Sequence, residues 1–191
     1  MVPLSAIPHE PPPIVTDRLI LRAPRMSDLA ASSAMWADPV VTRYIGGRPF
    51  TEEEVWTRML RYVGLWSWLG FGYWAVEDKE SGEFVGEAGF ADFKREMRPS
   101  IRGMPELGWA FTPRVHGRGF ATEAVQAALA WGISHIESDR TVCIINPDNR
   151  QSLRVAEKCG FREQETAIYK GHPVILFGRE LKPRKSAVVL D

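Results

Sequence analysis

The chain has 191 residues, with 24 basic and 24 acidic side chains and a formal net charge of zero. That length fits one domain with a full core, and the charge balance excludes a nucleic-acid footprint and a polybasic membrane surface. No run approaches the roughly 18 apolar residues of a membrane span, and the N-terminus lacks the basic and apolar regions of a secretion signal, so a cytoplasmic protein is expected. Cys143 and Cys159 have no His or Cys at metal-ligand spacing and read as reduced core thiols, with no metal site expected.

Residues 1–14 carry five prolines and read as an extended arm, residues 15–181 as a single domain, and 182–191 as a weakly specified tail. The alternation at Arg18 to Arg22 predicts a first strand. Ser27 is the expected N-cap of a helix running to about Ala37, which Asp38-Pro39 stops. Thr51 and Glu54 form a capping box for a second helix running to about Val63. The aromatic stretch Leu65 to Trp74, broken by Gly70 and Gly72, reads as core strand plus turn, or as one wall of a substrate pocket through Trp66 and Trp74. Strands are predicted at Tyr73 to Glu77 and at Phe84 to Phe90, joined by a tight turn. A loop over 92–103 then leads to a fourth strand at Glu106 to Phe111. A glycine loop Arg114 to Gly119 opens into a helix running to about Ser134. Thr141 to Ile145 is a short β-branched strand, and the next helix ends at Gly160. A hairpin of Thr166 to Lys170 and Val174 to Leu181 completes the chain.

The loop is the stretch that carries chemistry. Gly117 and Gly119 allow positive φ and close approach of a ligand to the backbone. The N–H groups of the loop and of the first helical turn would converge on an anion such as a pyrophosphate. The spacing Arg114-x-x-Gly117-x-Gly119, followed by Phe-Ala-Thr-Glu-Ala, resembles the coenzyme A loop of the GNAT superfamily of N-acetyltransferases. Asn149-x-x-Ser152, running to Glu157-Lys158-Cys159-Gly160-Phe161, and the opening Thr16 to Arg22 resemble the branch that acetylates ribosomal-protein N-termini. A dinucleotide fingerprint fits less well: Thr122 stands where its third glycine belongs, and the loop does not open a βαβ unit, although Asp139 lies at the ribose-binding distance.

The resemblance covers about residues 15–181. It implies an α+β (mixed α/β) fold, a splayed mixed sheet of six to seven strands flanked by about four helices. It implies transfer of acetyl from acetyl-CoA, the co-substrate, to a primary amine: a protein N-terminus or a small molecule. A non-catalytic coenzyme A-binding module of the same fold is the alternative, and a homodimer is left open. By the resemblance, the backbone of Trp109, Ala110 and Phe111 pairs with the pantetheine arm. The pyrophosphate falls on Val115, His116, Gly117, Arg118, Gly119 and Phe120, with Ala121 and Thr122 in the helical turn behind and Arg114 and Arg118 at the rim. His116 otherwise reads as an exposed loop side chain.

Asn149 is a coenzyme ligand or simply a helix N-cap. Ser152 would donate to the leaving thiolate, a role other family members give to a tyrosine where Ala156 stands here. Glu106 and Glu87 are candidates for the base that frees the amine, each expected as a carboxylate beside an apolar cleft. Trp66, Trp74 and Glu87 are the expected acceptor wall. Tyr169, Lys170 and His172 read as surface residues.

Overall fold

The computed structural model describes residues 10–181; most of the proline-rich arm and the tail from 182 lie outside them. In chain order the elements are β1 (Ile14–Val15), β2 (Leu19–Arg22), α1 (Leu29–Ala37), α2 (Pro39–Thr42), α3 (Glu52–Leu69), β3 (Tyr73–Asp78) and β4 (Phe84–Ala91). β5 (Glu106–Phe111), α4 (Phe120–His135), β6 (Arg140–Ile145), α5 (Arg150–Lys158), β7 (Arg162–Tyr169) and β8 (His172–Glu180) follow. All eight strands join one sheet in the order β1-β2-β3-β4-β5-β6-β8-β7. Every neighbouring pair is antiparallel except β5 with β6.

α4 buries Ala124, Val125, Ala128 and Leu129 against one face of the sheet, where Leu19, Val76, Phe90 and Leu107 also pack. The small residues set the approach: an added Cβ at Gly132 would lie 2.9 Å from the Phe90 ring. α1 and α3 cover the other face, packing Met35, Trp36, Val55 and Met59 against Ala110 of β5. The sheet is thus a central layer with helices on both sides. No helix among the described residues is long and apolar enough to cross a membrane.

Several expectations are corrected. One strand and a helix turn extend the predicted set: β1 pairs its two residues with β2, and α2 starts at Pro39, where the side chain of Asp38 accepts from Val40 N–H at 2.7 Å. Ser27 is not the N-cap of α1; it lies in a 3₁₀ turn, Met26–Asp28. Asp28 takes that place, accepting from Arg25 N–H at 2.7 Å and from the guanidinium of Arg22 at 2.8 Å through each oxygen. The larger correction concerns Leu65 to Leu69, which is helix rather than strand. Val55, Met59, Tyr62 and Trp66 recur at helical spacing on the buried side of α3, and Gly70 ends it at φ 71°. The capping box forms as expected: Thr51 N–H donates to Glu54 at 2.9 Å and Glu54 N–H to the Thr51 hydroxyl at 3.3 Å.

Candidate active site

The sheet parts between β5 and β6. Six residue pairs tie β5 to β4, whereas the parallel join to β6 rests on one pair, Glu106 with Val142. Beyond it the strands diverge, and the opening holds a cleft of about 200 Å³ lined by both strands, by Asn149 and Ser152 at the start of α5, and by aromatic residues from five other segments. Which backbone groups face the gap follows from the ladder. Thr112 N–H donates to Val85 C=O at 2.9 Å. Because an antiparallel strand alternates its donors between its two edges, Ala110 and Gly108 also turn theirs to β4. Leu107, Trp109 and Phe111 turn theirs to the parting. Trp109 therefore offers both its N–H and its C=O to the cleft. Ala110, expected to share this role, does not, and the Phe111 carbonyl already meets the His116 ring at 2.9 Å.

The glycine loop forms a donor cluster of narrower membership than expected. Val115, His116 and Arg118 donate their N–H groups within the turn, to Thr112, Pro113 and Val115. Gly117, Gly119, Phe120, Ala121 and Thr122 have no N–H acceptor among the described residues, and they stand at the N-terminus of a 16-residue helix. Gly117 and Gly119 hold φ of 75° and 83°, and a Cβ on Gly117 would meet nothing within 4 Å. That open cradle suits a pyrophosphate. His116 is half-buried and tied back to Phe111 rather than exposed. Arg114 pairs with Glu83 and donates to Phe84 C=O at 3.1 Å, so its charge is engaged on the β3–β4 hairpin. The loop is braced by Arg18, which donates to Arg118 C=O at 2.8 Å and pairs with Glu123 at 2.6 Å.

At the other wall Asn149 caps α5, accepting from Ser152 N–H at 3.1 Å, as the simpler reading expected. Asn149 nonetheless lines the cleft beside Ser152. The Ser152 hydroxyl has no hydrogen-bond partner among the described residues and is free to turn toward a ligand. Ala156, one turn on, is fully buried and presents no hydroxyl. Burial pushes the Cys143 thiol well above its usual range and the Cys159 thiol up to about 11, and both cysteines are free.

The candidate carboxylates and tryptophans are placed differently from expectation. Glu106 lines the cleft at its closed end, yet it is not a lone carboxylate in an apolar wall: Arg95 Nε and Nη2 reach its oxygens at 2.6 and 2.7 Å. Glu87 is 3% exposed and faces α1 and α3 rather than solvent or the cleft. It accepts from Ser32 at 2.6 Å, Tyr62 at 2.7 Å and Trp36 at 3.2 Å, with Arg58 Nε at 3.8 Å. Three donors and one nearby guanidinium, from two helices, make it a buried joint. Trp66 and Trp74 do not form the acceptor wall. They pack edge to face with each other and with Trp131 in the core.

The wall is instead made by Trp36, Tyr44, Arg58, Tyr73, Phe93, Arg95 and Tyr169. Tyr169 was expected at the surface, but Arg95 stacks on its ring at 4.6 Å. Burial pushes the Tyr73 phenol above its ordinary range, so it stays a neutral donor. A methyl group on Gly108 would overlap the Tyr73 hydroxyl. Gly108→Ala is therefore expected to cost about 1–3 kcal/mol, and Tyr73→Phe in the same chain should return part of it. Denaturant unfolding of the three variants measures this coupling.

A sheet opened along one strand edge, with an oriented N–H, a free hydroxyl across the gap and unpaired N–H groups at a helix N-terminus, is what an acyl-CoA-dependent acetyltransferase is expected to present. The acetyltransferase (GNAT) domain family matches residues 18–162, and the chain belongs to that family. It is 31% identical over 171 residues to the uncharacterized protein YkkB of Bacillus subtilis, covering 87% of this chain and 95% of that one. Among solved structures, a Bordetella pertussis protein assigned to the GnaT-family acetyltransferases superposes with a TM-score of 0.77 at 34% identity, over 88% of this chain and 99% of that one. A spermidine N-acetyltransferase from Vibrio cholerae, solved with CoA and spermine, shares the fold at a TM-score of 0.68 and 17% identity, over 87% and 97% of the two chains.

Proposed function

We propose that the protein transfers the acetyl group of acetyl-CoA to a primary amine, a small molecule or a protein N-terminus, in the cytoplasm. One observation carries this reading: Trp109, Ser152 with its free hydroxyl, and a set of aromatic side chains all line one cleft. Coenzyme A would lay its pyrophosphate on Gly117, Gly119 and the first turn of α4 and run its pantetheine along β5. The amine would come from the pocket side.

The nucleophile is the neutral amine. Its lone pair attacks the thioester carbon, the N–C bond forms, and the oxyanion is held by Trp109 N–H, a contact worth about 3–4 kcal/mol where one such donor has been removed. The C–S bond then breaks. Ser152 hydrogen-bonds the departing thiolate, which takes up the proton the amine has released through water. Glu106, fixed by Arg95, orients groups at the closed end. Holding the two reactants in line supplies the rest of the advantage.

Release of free thiol from acetyl-CoA across a panel of primary amines tests the reading; coenzyme A binding with no turnover of any amine would overturn it. Ser152→Ala should lower kcat by about tenfold to a hundredfold with little change in coenzyme A affinity. An equal loss in both, by stopped assay and calorimetry, would remove Ser152 from the chemistry.

A further inference from the structure

The pocket that receives the amine has its negative charge already spent. Both Glu106 oxygens are taken by Arg95, and Glu87 lies behind the wall with three neutral donors on it. Among the described residues, Glu106 is the one acidic side chain lining the cleft, against two lining arginines, Arg58 and Arg95. An ammonium entering from solvent meets, among the described residues lining the cleft, only a carboxylate already paired with a guanidinium.

The positive charge of the cleft is only partly balanced: Arg58 has Glu87 beside its Nε, at 3.8 Å. Arg58 has a side chain only 16% exposed, lies flat on the Trp36 ring at 4.0 Å, and gives its Nε to the Tyr62 hydroxyl at 2.6 Å. Its two terminal nitrogens have no hydrogen-bond acceptor among the described residues. Three residues further along α3, Arg61 sets its guanidinium 5.0 Å over Phe93, the ring that Arg95 also covers at 5.0 Å. Burial there, and next the charge of Arg58, hold Arg61 below its ordinary range.

A desolvated guanidinium with an open fork is a receptor for a planar anion. Resting on the acetyl-transfer reading above, we infer that the acceptor is an amine carrying a carboxylate, which Arg58 binds while the amine faces the thioester. A free amino acid and the acidic N-terminus of a peptide both carry this chemistry. Polyamines do not, so this chain would differ in acceptor from the spermidine enzyme that shares its fold.

The test measures kcat/KM on matched pairs at equal ionic strength: glycine and β-alanine against their amides, the peptide Asp-Ala amide against Asn-Ala amide, and spermidine. The carboxylate member should win by about tenfold or more within its pair, and the pair with the larger ratio tells an amino acid from a peptide N-terminus. Arg58→Met should erase that ratio through KM. Should Arg58→Met not fold, Arg61→Gln should shrink the ratio about twofold to threefold. Preference for an amide or for spermidine, or a ratio unmoved by a folded Arg58→Met protein, overturns the inference and leaves the acetyl-transfer reading standing. If no amine turns over, that reading falls. Calorimetry of the same pairs on the coenzyme A-loaded protein still decides the anion site: tighter binding of the carboxylates supports it, and equal binding overturns it.

Discussion

Gly117→Glu should abolish coenzyme A binding while leaving the fold intact. The position has φ of 75° and open space where a side chain would begin, so the substitution costs about 1–2 kcal/mol of backbone strain. A melting shift of only a few degrees should result. The new carboxylate, however, enters the space in front of the unpaired N–H groups of Gly119 and Phe120 to Thr122, where it repels a pyrophosphate and competes for its donors. A loss of about a hundredfold or more, or about 2.7 kcal/mol, is expected in calorimetry. Gly117→Ala separates the causes, since it adds the strain without the charge. If Gly117→Glu binds coenzyme A normally, the loop holds some other ligand or none.

Glu87→Ala should be the most destabilising single change. It removes the shared acceptor of Ser32, Trp36 and Tyr62 and the counter-charge of Arg58, all beneath α1 and α3. Breaking a buried charged network from one side costs about 3–5 kcal/mol. For a chain of this size, that lowers the melting temperature by about 10 °C. Glu87→Gln keeps one acceptor oxygen and should cost less. The pair also decides whether Glu87 takes part in catalysis. A Glu87→Gln protein with its stability kept and its kcat lost would return Glu87 to the role of base; parallel loss of both marks a structural joint.

The parts of the site legible in the sequence were those encoded by neighbours along the chain. Glu106 to Phe111 emerges with the predicted bounds, and the glycine loop opens α4 where its spacing says. Asn149 and Ser152 reach the same cleft because α5 carries both within one turn. The aromatic and arginine wall of the cleft had no such local code. Trp36, Arg58, Arg95 and Tyr169 come from α1, α3, a loop and β7, and only packing brings them together. The aromatic density of Leu65 to Trp74 misled for a related reason: Trp66 and Trp74 signalled burial correctly, but which face they bury was settled by Trp131, far along the chain. Glu87, a candidate base and acceptor contact by its place in an apolar strand, is neither in this fold. What distinguishes it is the ring of donors around it, contributed by two helices that come earlier in the sequence.

The single bridge between β5 and β6 has a thermodynamic consequence. A sheet left unlaced along half of one strand is completed only when something extended lies against Trp109, so the proposed coenzyme would serve as a removable ninth strand. Ligand occupancy and conformational stability are then one equilibrium seen from two sides: coenzyme A at a hundred times its dissociation constant would add about 2.7 kcal/mol to the folded state. A protein short of the coenzyme would therefore be the looser one, and coenzyme supply would set its stability.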